Sequence, residues 1–124
     1  PDADALAAME EGLYAALDAV CEPARIEHAV KRISAEAPIA FDAECIAAVR
    51  RAAERFGYAH RPMVSGAGHD ACFVAGVAPT GMIFVPCADG ISHNEVESAT
   101  PEDLAAGARA LLAAMMNRAE VAKR

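Results

Sequence analysis

The sequence predicts an α/β (α+β) fold from three observations: apolar stripes with a helical repeat, a continuous apolar run of strand length, and Gly/Pro punctuation between them. With 55% of its residues hydrophobic and 23% charged, the 124-residue chain has the composition of a globular protein rather than a disordered one. No segment repeats another.

Leu6, Met9, Leu13, Leu17 and Val20 recur every three or four positions, which predicts a helix over Ala5–Cys21 with these residues on one stripe. Asp2 or Asp4 caps its start, and Pro23 limits its end. Arg25 to Ile33 is richer in β-branched residues and reads as a strand, with Ile26, His28 and Val30 on one face and Glu27 and Lys31 on the other. His28 is then a strand-surface histidine. Residues 35–40, around Pro38, form a connection and a possible boundary.

Asp42 caps a second helix, with Phe41 and Ile46 placed as a hydrophobic staple. Ile46, Val49, Ala53 and Phe56 are its buried stripe, and Gly57 ends it in a left-handed conformation. Arg61–Ser65 is a short candidate strand, Ser65–Gly68 a tight loop and His69–Val77 a short helix. The apolar run Gly81–Pro86 predicts a strand covered on both faces. Cys87–Ala99 is a polar loop. Thr100-Pro101-Glu102-Asp103 starts the last helix, whose inward face is Leu104, Ala108, Leu111, Leu112 and Met115.

Charge and composition exclude several classes of function. A formal net charge of −7 and the absence of a basic stripe argue against nucleic acid as a partner. No apolar run approaches the roughly 20 residues of a membrane span, and Pro-Asp-Ala-Asp is no signal region, so a cytoplasmic location is expected. Cys21, Cys45, Cys72 and Cys87 are widely spaced, without the Cys-x-x-Cys pairs of a zinc knuckle or the framework of a small secreted domain; they read as buried thiols.

Two segments carry chemistry. In Ser65-Gly-Ala-Gly-His-Asp-Ala71, Gly66 and Gly68 permit positive φ and close approach by another group, and His69-Asp70 stand at a short helix start, where backbone donors suit a carboxylate or carbonyl oxygen. The plain reading is a glycine turn with a solvent-facing histidine. In Asp89-Gly-Ile-Ser-His-Asn-Glu-Val-Glu97, a loop rich in His, Asn and carboxylates follows a strand, where α/β proteins place ligands. His93 offers an imidazole to a metal, with Glu95 or Glu97 orienting it. One histidine does not make a metal site, and the plain reading is a loop histidine paired with an acid.

Together with Ala78-Pro-Thr-Gly-Met-Ile-Phe-Val-Pro86, these segments resemble the C-terminal signature of the hydantoinase/carbamoylase family of M20-type metallopeptidases, which includes N-carbamoyl-L-amino-acid hydrolases, β-ureidopropionases and allantoate amidohydrolases. The resemblance runs in order from about Phe41 to the last helix. It implies that residues 1–35 are the last helix and strand of the lid (dimerisation) domain, and residues 36–124 the C-terminal part of the metal-dependent catalytic domain. It implies roles as well. His93 is the last protein ligand of a two-metal centre (zinc, or manganese, cobalt or nickel), His69 with the Gly68 backbone faces the substrate, and Asp70 and Glu97 support them. The implied reaction is hydrolysis of a carbamoyl or ureido C–N bond by metal-activated water in a homodimer.

The family's other metal ligands, its general-base glutamate and its substrate-binding arginine match nothing in these residues. The expectation is therefore an N-terminal part outside the chain, with no stably bound metal and no turnover by the chain alone. A noncatalytic fold remnant acting as an interaction module is the alternative. A cysteine hydrolase using Cys72 or Cys87 is a third reading.

Overall fold

The computed structural model describes residues 2–121, in the order α1 (Ala3–Ala24), α2 (Ala43–Arg55), α3 (Asp70–Ala75) and α4 (Pro101–Val121), with a 3-10 turn at Ala88–Gly90. The chain divides into two compact units, Pro1–Ala40 and Phe41–Arg124.

The first unit is α1 and the segment after it. Asp2 caps the helix by accepting a hydrogen bond from the Asp4 N–H at 2.9 Å. The helix runs past the expected stop, with Pro23 inside its last turn and Arg25 in the left-handed region at φ 55°. The Arg25 N–H donates to the Glu22 carbonyl and the Ile26 N–H to the Cys21 carbonyl, the paired bonds that close a helix end. Pro23 is tolerated there because it costs one hydrogen bond near a terminus that already leaves carbonyls free. The segment expected as the strand Arg25–Ile33 is neither helix nor paired strand. It is tied to α1 by polar contacts instead: His28 lies 3.3 Å from Asp18, and Arg32 pairs with Glu10, which also accepts from the Tyr14 hydroxyl. The stripe of α1 stays largely open, with Met9 and Val20 both exposed.

The second unit is built on α2 packed against α4. Asp42 caps α2 through Oδ1 to the Cys45 N–H at 2.8 Å, as its sequence predicts. Gly57 has φ +69°, the Gly57 N–H donates to the Glu54 carbonyl and the Tyr58 N–H to the Ala53 carbonyl, a complete Schellman closure. At the start of α4 the Thr100 hydroxyl accepts from the Asp103 N–H and donates to the Asp103 carboxylate.

The packed faces match those expected only in part: of the α2 stripe Ala53 is buried, whereas Ile46 and Phe56 are exposed. The buried residues among those described are Ala48, Ala52 and Ala53 of α2 with Ala110 and Ala114 of α4. Leu104, Ala108, Leu111, Leu112 and Met115 are exposed, so α4 turns Ala110 and Ala114 inward and the expected face outward. Small side chains let two helices approach closely, and that contact fixed the rotation of α4. Residues 81–86 pack closely beside both helices: a Cβ built on Gly81 would lie 3.1 Å from Cys45 Cβ, and one on Gly107 would lie 2.5 Å from Val85 Cγ1.

No strand forms among the described residues, against the expectation for 25–33, 61–65 and 81–86. A strand is defined by the ladder it shares with a neighbour, and none of these segments forms a ladder among the described residues. The helical half of the α/β expectation stands. No helix among the described residues is long and apolar enough to cross a membrane.

Candidate functional site

The two histidine-bearing loops both lie in the second unit. His69 sits at the N-cap of α3 with extended backbone, φ −136° and ψ 148°, and its side chain leaves the helix start alone. Its Nε2 lies 2.7 Å from Ser65 Oγ, and that oxygen accepts from the Ala67 N–H at 3.1 Å. The ring stands edge-on to Phe84, with centroids 5.6 Å apart. His69 is thus half-buried and held on two sides, rather than facing solvent as the plain reading has it. The polar partner leaves Nδ1 as the ring nitrogen available for another group.

The glycines before it do not meet their expectation. Neither Gly66 nor Gly68 takes positive φ, and a Cβ at either position would meet nothing within 4 Å. Asp70 opens α3 and is exposed.

His93 lies in the loop that follows residues 81–86. Its φ of +56° places a non-glycine residue in the left-handed region, where histidine is one of the better-tolerated types. Nδ1 lies 2.9 Å from Ser92 Oγ. When that nitrogen carries the proton and donates to Ser92, the lone pair of Nε2 is left free, the tautomer that coordination through Nε2 needs. Glu97 makes no hydrogen bond to the ring, where the spacing suggests an orienting acid. It accepts from the backbone N–H of His93, at 2.8 Å through Oε2, while Oε1 lies 3.8 Å from Cys87 Sγ. Glu95 is exposed.

His93 fits the part of one ligand and no more. Among the described residues no three His, Cys, Asp or Glu side chains converge as a metal site would need. No hydrogen bond among the described residues links the His69 group to the His93 group. The Cys72 N–H donates to the His69 carbonyl at 2.9 Å, and no hydrogen bond among the described residues joins the Cys72 thiol to the His69 ring. A shallow cavity of ≈ 300 Å³ between α2 and α4, lined by Arg55, Phe56, Arg109 and Met116 among others, includes no residue of either loop.

Ser65, Phe84 and Ser92 emerge as partners of the histidines only from the structure. The signal was present for the two serines, since a hydroxyl stands four residues before His69 and one before His93.

The model of Peptidase family M20/M25/M40 matches residues 3–117. The chain is 42% identical over 121 residues to an N-carbamoyl-L-amino-acid amidohydrolase of Rhizobium meliloti, a match covering 98% of this chain and 29% of that protein. It is 36% identical over 110 residues to an allantoate amidohydrolase of Escherichia coli, covering 89% of this chain and 27% of that one. A crystal structure of an amidase of the hydantoinase/carbamoylase family from Burkholderia multivorans is similar at a TM-score of 0.91 and 56% identity, over 95% of this chain and 29% of that chain. The chain thus spans less than a third of the length of each of these relatives.

Proposed function

The chain belongs to peptidase family M20/M25/M40, and on that premise we propose that it supplies the C-terminal share of a metal-dependent amidohydrolase. The enzyme cleaves the carbamoyl or ureido C–N bond of an N-carbamoyl amino acid, ureidopropionate or allantoate. The observation that carries this reading is a match to a carbamoyl-amino-acid hydrolase that spans nearly the whole chain and so takes in both histidine loops.

In this reading His93 contributes one ligand, through Nε2, to a two-metal centre whose remaining ligands come from residues outside the chain. Zinc, manganese, cobalt or nickel would suit such a set. Metal ions held there would supply Lewis acidity, lowering the pKa of the attacking water and polarising the carbonyl. His69 faces the substrate, with the Gly68 backbone beside it. Because Nε2 of His69 is engaged by Ser65, Nδ1 is the atom that meets a substrate oxygen or moves a proton there. Asp70 supports His69 from the first turn of α3, and Glu97 supports His93.

Residues 1–35 belong in this reading to a lid or dimerisation domain, and residues 36–124 to the catalytic domain. The complete enzyme works as a homodimer in the cytoplasm. The chain by itself holds no metal stably and turns nothing over.

The test joins these residues to the upstream sequence of a family member and measures metal content and hydrolysis of N-carbamoyl amino acids and allantoate. His93→Ala is expected to lower metal affinity and turnover by more than the roughly 10–100-fold that losing an outer-shell partner costs. Metal-dependent turnover by the 124 residues alone, or full activity in the His93→Ala protein, would overturn the reading.

A further inference from the structure

The loop from Cys87 to Ser98 is held together by unusually local means. The Ala88 N–H donates to the Ser98 carbonyl at 2.7 Å and closes its base. Asn94 makes an inner turn, its side chain accepting from the Val96 N–H and its carbonyl from the Glu97 N–H. His93, on this loop, is left-handed at φ +56°, a conformation that an L-residue keeps only when its surroundings hold it.

We infer that Glu97 is a positioning residue that fixes His93 through its backbone, with Cys87 as the second contact that orients the Glu97 carboxylate. The two oxygens of Glu97 are divided between the two residues: Oε2 takes the His93 N–H at 2.8 Å, and Oε1 faces Cys87 Sγ at 3.8 Å. The carboxylate therefore ties His93 to the residue that opens the loop. A hydrogen bond from a backbone N–H to a carboxylate is among the stronger ones a protein makes, and the longer thiol contact adds direction more than strength. Ser92 fixes the ring of His93, and Glu97 fixes the peptide that carries the ring. The two restraints are independent, so losing Glu97 lets the imidazole wander without altering its chemistry. The inference rests on His93 being a functional residue, but the clamp itself is measurable apart from function.

The experiment is residue-resolved hydrogen exchange at the His93 amide in the full-length protein, for Glu97→Ala, Glu97→Gln and Cys87→Ala. Glu97→Ala is expected to speed exchange at His93 by about tenfold or more, with the Ala52 amide of α2 unchanged. Glu97→Gln, which keeps an acceptor oxygen, should restore most of the protection. Unchanged exchange at His93 in Glu97→Ala overturns the clamp. Should Glu97→Ala loosen Ala52 as well, Cys87→Ala decides: acceleration confined to His93 supports the inference, and an unchanged His93 amide overturns it. A protein in which Glu97→Ala frees the His93 amide while His93→Ala keeps its metal and turnover would retain the clamp and lose the metal-ligand reading.

Discussion

Asp42 shows how a single side chain joins sequence to stability. Its carboxylate accepts the Cys45 N–H at the open end of α2, and that backbone hydrogen bond holds its pKa below the ordinary value of 3.8. A carboxyl whose folded pKa is depressed adds stability above its unfolded pKa and loses it as pH falls through the folded one. The contribution from Asp42 is therefore complete above about pH 4 and disappears on acidification below that. Comparing urea midpoints of the parent and Asp42→Asn across this acid range checks it. Asparagine caps nearly as well without titrating, so the parent should lose more stability than the variant as pH drops. Parallel curves would show that the cap carries no proton linkage. At this scale much was legible: Asp42, Gly57 and Thr100 each stand where their residue type predicts, because caps depend on neighbours three to five residues away. The target of Glu97 was less so. Spacing places Glu97 near His93, but whether a carboxylate finds the ring or the peptide depends on the left-handed turn at His93, which no residue type announces.

At the scale of elements, all four helices were legible and their packed faces only in part. Large apolar residues mark a stripe on α4, yet the stripe that packs on α2 is the alanine one. The contact with α2 chose proximity over size, and a helix read alone gives no hint of that choice. Gly107 belongs to the same packed side of α4. A Cβ there would lie 2.5 Å from Val85 Cγ1, closer than two carbons approach without something moving. Gly107→Ala sets two effects against each other: a gain of about 1 kcal/mol in helix propensity and an overpacking cost of about 1–3 kcal/mol. A net loss on the order of 1 kcal/mol is expected, read as a lower urea midpoint. A stabilised variant would show that residues 81–86 yield to α4 freely. The same dependence on partners explains the missing strands. The run Gly81–Pro86 has the composition of a covered strand, but pairing is a property of two segments, and only one of them need be present for the sequence signal.

For the whole molecule, the consequence is a chain whose apolar surfaces exceed what it covers. Five alanines are the buried apolar residues among those described, while Leu6, Met9 and Leu13 of α1 and Leu104, Leu111 and Met115 of α4 remain exposed. Helices gain most of their stability in proteins from burying such faces, so these helices are set to pack on further protein. The 124 residues by themselves are accordingly expected to bind an apolar dye and to unfold over a broad urea range with a shallow slope. The same residues joined to the upstream part of a family relative should unfold sharply and bind little dye. Sedimentation of the isolated chain across a concentration series completes the test. A sharp transition without dye binding in a monomer would mean that the chain covers these faces itself, whereas a sharp transition that appears only on self-association would mean that a second copy covers them.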